Sequence, residues 1–194
     1  MIDEQNDNAS HISELSTDNN DDSYDKILSM SDILFLRTYI YISPLKLLNA
    51  INHMNNKNMY KISYIDPEFL IKYMDDINNN IFYELCEYFN RIQIEKISKK
   101  LDDNKFYIIS DYFMNLYDID DKFVLFYFSI NEYQQIQIKN KLDIKHIKYI
   151  IPYLDNINKI NSFLQNLDHI TNTFEYLINS IDDIDILEKM IYYM

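Results

Sequence analysis

Not one of the 194 residues is glycine. Glycine enters the left-handed backbone region without steric cost, and many helices end on it. A chain without it is expected to close its turns and helix ends with Asn or Asp, the next most tolerant residues. Asn stands at Asn55-Asn56, at Asn78-Asn79-Asn80 and at Asn104, and these positions are expected to carry positive φ angles. The same absence removes several classes of function. A dinucleotide-binding fingerprint, a phosphate-binding P-loop and a calcium loop with its sharp turn all need glycine.

The rest of the composition is skewed in the same direction. Ala and Arg occur twice each and Pro three times, while Ile, Asn, Lys, Asp and Tyr dominate. The scarce residues need GC-rich codons, so the bias is read as genomic, as in large DNA viruses and some protists. A hydrophobic content of 47%, with 18 Tyr and 11 Phe, is enough to fill a real core. The single cysteine, Cys86, precludes an intramolecular disulfide and suits a reducing, intracellular compartment, cytoplasmic or nuclear. No secretory signal opens the chain, and its longest apolar run, Phe123 to Phe128, is too short to span a bilayer.

Net charge is −13, unevenly spread. Residues 1–25 hold eight acidic side chains and no Lys or Arg, leaving 23 acidic against 18 basic residues beyond them. This balance argues against a nucleic-acid surface. The segment 1–25 lacks apolar periodicity and is expected to be a disordered acidic tail.

Period-two patterning over Asp32 to Ser43 and Lys57 to Asp66 predicts two short strands, with Leu34, Leu36, Ile40 and Ile42 on one face of the first. Between them Ser43-Pro44 opens a helix with Leu45, Leu48 and Ile51 as its stripe. Asp66-Pro67-Glu68 opens another with Phe69, Leu70, Tyr73 and Ile77. Helices follow over 81–89 and 91–101, then over 104–117, 121–139, 143–154, 157–167, 170–180 and 183–193. LDIKHIKYI (142–150) echoes RIQIEKISKKL (91–101), but the spacing shows no fixed repeat period. The expected organisation is a tail over 1–25, an α+β domain over 26–103 and a helical extension over 104–194. The fold class is mainly α with a few short N-terminal strands.

Chemistry is hard to assemble from these residues. No two of His11, His53, His146 and His169 share a metal-binding helical spacing. The pairs Asp75-Asp76, Asp102-Asp103, Asp120-Asp121 and Asp182-Asp183 fall mostly at helix boundaries, where Asp caps orphan N–H groups. Cys86 lies among Leu85 and Phe89 and reads as a small buried hydrophobe. Lys139, Lys141, Lys145 and Lys148 form the most basic stretch and read as a solvated face. No catalytic, cofactor or metal residue is assigned.

SYIDPEFLIKYMDDI (63–77) and IFYELCEYFNRIQIEKISKKL (81–101) resemble the part of a POZ (BTB) domain where a strand runs into a capped helix and a helical hairpin follows. The resemblance spans residues 33–101. It implies a strand–helix–strand order, a hairpin packed by Leu85, Tyr88 and Phe89 and closed by Ile94 and Ile97, and an adaptor whose protein partner is a second copy or a cullin-type subunit. The size and helix count also resemble viral helical regulators of the B-cell-lymphoma type, which block host apoptosis or innate signalling. A structural virion protein is the third alternative. All three imply a non-enzymatic interaction protein.

Overall fold

The computed structural model describes residues 23–139 and 141–154. The chain divides into two compact units between Ile97 and Ser98; the sequence reading set its boundary between 103 and 104. The first unit contains α1 (Ser23–Ser29), α2 (Asp32–Thr38), α3 (Pro44–Asn52), α4 (Pro67–Tyr73), α5 (Asn79–Leu85) and α6 (Arg91–Ser98), the last of which ends at the division. Turns of 3-10 helix cover Tyr39–Tyr41, Met59–Tyr64 and Met74–Asp76. The second unit contains α7 (Asp103–Asn115), α8 (Asp121–Ser129), α9 (Glu132–Lys139) and α10 (Ile144–Ile150), followed by a 3-10 turn at Ile151–Tyr153. No helix among the described residues is long and apolar enough to cross a membrane.

In the first unit α1 packs on α3, and α5 packs on the Met59–Tyr64 turn. Its core includes Ile27, Phe35, Ile51, Ile62, Phe82, Leu85 and Phe89. In the second unit α8 packs on α10. Its centre is aromatic: Phe113 stacks on Phe126 at 4.9 Å between ring centroids and meets Phe123 edge-on at 5.9 Å. Each such buried ring contributes about 1.5–3 kcal/mol through burial alone.

The positive φ angles expected at Asn and Asp do not occur among the described residues. Helices stop differently. The residue after the last turn swings into extended backbone and is a branched aliphatic: Ile42 (φ −72°, ψ 135°), Ile65 (−78°, 139°), Ile77 (−79°, 127°), Leu116 (−62°, 135°) and Ile130 (−72°, 156°). β-branched side chains favour extended backbone, so isoleucine stops a helix without needing the left-handed region. Burial of Ile42, Ile65, Ile77 and Ile130 then fixes the direction in which the chain leaves.

A polar capping residue usually follows the apolar one. The dipeptides are Met30-Ser31, Ile42-Ser43, Met54-Asn55, Ile65-Asp66, Ile77-Asn78, Phe89-Asn90, Leu101-Asp102, Ile119-Asp120, Ile130-Asn131 and Leu142-Asp143. Consecutive pairs stand 11 or 12 residues apart, except for 18 between Leu101 and Ile119, where α7 adds length. The polar member of most of these pairs accepts a hydrogen bond from an N–H two or three residues on, as Asp102 does from the Lys105 N–H at 2.7 Å and Asp120 from the Lys122 N–H at 2.9 Å; Asn78 makes no such cap bond. Pro44 and Pro67 occupy first helical positions, where the missing N–H costs nothing.

Both expected strands are instead helical. Residues 32–38 form α2, continued by a 3-10 turn, and 59–64 form a 3-10 turn. Phe35, Thr38 and Ile42 are buried at helical spacing, while Leu36 and Ile40 are exposed. Abundant β-branched and aromatic residues imitated a period of two there. In 59–64 the alternation fails because Lys61 is buried beside Ile62. The stripe of α3 also shifts: Leu47, Ala50 and Ile51 are buried and Leu45 is exposed. The helix expected over 121–139 breaks at Ile130-Asn131. Ser23 to Asp25, expected in the tail, begin α1. The rest of that tail and the helices expected at 157–167, 170–180 and 183–193 lie outside the described residues.

Candidate interaction surface and the buried polar bridges

A helix leaves its last four carbonyls without intrahelical partners. Glycine-based caps satisfy some of them in other proteins; here long polar side chains from later elements do so. The Lys61 Nζ donates to the carbonyls of Leu28 at 2.7 Å and Met30 at 2.6 Å, at the end of α1. The Gln93 Nε2 donates to Ile62 at 2.8 Å and Ile65 at 2.7 Å, at the end of the Met59–Tyr64 turn. The His146 Nε2 lies 3.3 Å from the Phe113 carbonyl, in the last turn of α7. Lys145 Nζ donates to the Leu116 carbonyl just beyond it. Gln134 Nε2 reaches the Leu101 carbonyl at 3.4 Å. These bridges span 28 to 33 residues of sequence.

Three bridges share a local frame. Asn90 and Gln93 form a reciprocal box: the Asn90 N–H donates to Gln93 Oε1 at 2.9 Å, and the Gln93 N–H donates to Asn90 Oδ1 at 3.0 Å. Asn131 and Gln134 repeat it at 3.2 and 2.9 Å. Asp143 and His146 form the third box, with the imidazole Nδ1 in the place of the amide oxygen. The echo between 91–101 and 142–150 is therefore a shared capping box. Gln93 and Gln134 were not singled out from sequence, although each sits three residues after a capping Asn. Asn52 makes a shorter bridge, donating to the Asp76 carbonyl at 3.0 Å and accepting from the Asn78 N–H at 2.8 Å.

These contacts account for several candidate chemical groups. Burial draws the Lys61 pKa below its ordinary value, and the ammonium sits 5.6 Å from the centre of the Phe35 ring. Burial likewise draws His146 down and pushes the Tyr127 phenol up to about 12. The Cys86 thiol is buried and donates to the Phe82 carbonyl at 3.2 Å. His53 ends α3, with Nδ1 2.8 Å from the Asn49 carbonyl and its ring stacked on Tyr24 at 4.2 Å. Asp102 and Asp120 are caps, and Asp75-Asp76 lie in a 3-10 turn. Of the basic stretch, Lys139 is buried rather than solvated. No group of three His, Cys, Asp or Glu able to hold a metal occurs among the described residues. His11, His169 and Asp182-Asp183 lie outside them.

The residues named for the hairpin lie on α5, α6 and the turn between them. Leu85, Phe89, Ile94 and Ile97 are buried, and Tyr88 is half-buried. The pair also exposes Tyr83 and Ile92, and a longer run of exposed apolar side chains lies elsewhere. Ile33, Leu36 and Ile40 follow one another at helical spacing along α2 and its 3-10 continuation. Tyr41 and Leu45 come next, with Leu45 74% exposed. In the second unit Tyr133 and Ile136 are exposed one turn apart on α9. No protein-family model, curated protein or solved structure matches this chain.

Proposed function

We propose that the chain is a non-enzymatic protein–protein interaction module whose contact face includes Ile33, Leu36, Ile40, Tyr41 and Leu45. The observation that carries this reading is the concentration of large exposed apolar side chains along α2 and the start of α3. Such side chains, gathered on one stretch, favour a protein partner over water. The reading gains support from the buried polar groups. Lys61, Gln93, Gln134 and His146 are engaged with backbone groups of the same chain. Their polarity serves the scaffold.

The POZ-like adaptor form of this reading, with a second copy or a cullin-type subunit as partner, draws on the α5–α6 pair. It lacks the strand–helix–strand order, because both segments are helical. The helical content suits the alternative of a viral regulator that engages a death or signalling protein. Affinity purification with mass spectrometry, run on the full chain and on a Leu36→Asp/Leu45→Asp variant, tests the reading. The expected result is a defined partner that the variant loses while its circular dichroism melt is unchanged. A cullin identifies the adaptor, a signalling protein the regulator, and self-association the structural alternative. A folded variant that keeps every partner of the parent chain overturns the assigned face.

A further inference from the structure

We propose that Ser43 is a phosphorylation site for a proline-directed serine/threonine kinase, and that the phosphate closes the apolar face of α2 and the start of α3 to its partner. The three prolines follow Ser43, Asp66 and Ile151, so Ser43-Pro44 is the only Ser-Pro or Thr-Pro pair in the sequence. Proline has no N–H. A kinase whose pocket for the residue after the acceptor offers nothing to bind an N–H therefore selects proline there, because any other residue would strand a donor. Lys46, three residues after the serine, adds the cation that such kinases attract with an anionic surface. Ser43 is exposed and extended (φ −58°, ψ 142°), and Pro44 and Leu45 are exposed after it. Its Oγ accepts from the Lys46 N–H at 3.4 Å, a long bond whose loss frees the hydroxyl for transfer.

The fold already holds a negative charge in the same local frame. Ile65-Asp66-Pro67 repeats Ile42-Ser43-Pro44: an extended isoleucine, a capping residue and a proline that opens the helix. Asp66 has a similar backbone (φ −57°, ψ 127°), and its carboxylate accepts from the Glu68 N–H at 2.9 Å. Transfer of the γ-phosphoryl group of ATP breaks the bond from the γ-phosphorus to the β–γ bridging oxygen and forms the O–P bond to Ser43 Oγ. ADP and the hydroxyl proton leave. The product is a cap of about −1.5 to −2 charge at the start of a nine-residue helix, whose positive end favours it. The scaffold is kept and the contact face is not. Ser43 stands two residues from Tyr41 and two from Leu45, which are 64% and 74% exposed. A partner covering them has to strip water from the phosphate beside them. This consequence rests on the contact face assigned above; the acceptor site does not.

The test incubates the full chain with ATP and a purified cyclin-dependent kinase, a proline-directed enzyme, and locates phosphate by tandem mass spectrometry. One phosphate on Ser43 is expected, none at position 43 in Ser43→Asn, which keeps a capping oxygen, and much less on Pro44→Ala. No phosphate on Ser43 of the folded chain, or equal incorporation in Pro44→Ala, overturns the site. The circular dichroism melt of the phosphorylated chain is expected to match or exceed that of the parent, and a clearly lower melt overturns the anionic cap. Affinity purification then compares the phosphorylated chain with the parent and with Ser43→Asn. The phosphorylated chain is expected to lose a partner that Ser43→Asn keeps and that Leu36→Asp/Leu45→Asp also loses. If that partner survives phosphorylation, the closure is overturned and the contact face stands. If the double variant keeps every partner, the face and its closure fall together, and the kinase result alone decides the acceptor site.

Discussion

Gln93 tests whether distant side chains really close the helix ends of the first unit. Gln93→Leu keeps the approximate volume and removes the three hydrogen bonds of the side-chain amide. The losses are unequal. The Asn90 N–H lies near the surface, and water can replace its partner. The Ile62 carbonyl still accepts the Ile65 N–H at 3.0 Å. The Ile65 carbonyl loses its 2.7 Å donor in a buried position. Stranding a buried polar group costs about 1–3 kcal/mol, and each further net bond is worth about 0.5–1.5 kcal/mol. The greater apolarity of leucine offsets part of this, so the expected loss is about 2–4 kcal/mol. That is a large share of the roughly 5–15 kcal/mol that holds an ordinary domain. Gln93→Glu should be worse at pH 7, because a carboxylate would face two carbonyl oxygens.

Urea unfolding followed by far-ultraviolet circular dichroism measures both variants. The control is Lys96→Ala, which removes a solvent-exposed pair with Glu68 at 3.0 Å worth at most about 1 kcal/mol. If Gln93→Leu costs no more than Lys96→Ala, the buried bridge is not what secures the end of the Met59–Tyr64 turn.

Two further outcomes follow from the same contacts. Lys61→Met strands the Leu28 and Met30 carbonyls while relieving the desolvation of an ammonium; a net loss of about 1–3 kcal/mol is expected, with faster hydrogen exchange over α1. A chain beginning at Ser23 should melt higher than one beginning at Lys26, because the shorter form loses the first turn of α1 and the Tyr24–His53 stack; differential scanning fluorimetry reads the difference.

Helix type and many boundaries were legible in the sequence because capping is local. Ser43-Pro44 and Asp66-Pro67 announce their helices with side chains that act within three residues. Leu85, Phe89, Ile94 and Ile97, which the resemblance implied for the hairpin, are buried. What was not legible depends on partners about 30 residues away. Lys61 looks like a solvent residue until the end of α1 is placed beside it. Gln134 looks like surface until the Leu101 carbonyl is within reach. The two misread strands fail differently. Their β-branched and aromatic residues fit a pleated surface as well as a helix, and long-range burial of Phe35, Thr38 and Ile62 decides between them.

The absence of glycine and the long polar bridges are two sides of one solution. A left-handed helix cap both turns the chain and uses up terminal carbonyls through backbone N–H groups. An extended isoleucine turns the chain and meets one terminal carbonyl with its own N–H, as Ile65 meets Ile62. The donor to the Ile65 carbonyl itself arrives from Gln93, which adds a second bond to Ile62. The same division appears at the end of α7. There Leu116 turns the chain, and Lys145 and His146 meet the carbonyls of Leu116 and Phe113. A donor suited to this task must be long enough to cross to an earlier helix and must be anchored at its own base. Position three after a cap supplies the anchor, because its backbone N–H is already bound by the capping residue. Gln and His add a second anchor, since each also offers an acceptor back to the cap. Lysine has no acceptor, and Lys61 accordingly relies on two carbonyls and an aromatic ring instead. The polar residues at these positions follow from how the chain stops its helices. The apolar residues exposed on α2 have no such structural reason, and that contrast directs the search for function to α2.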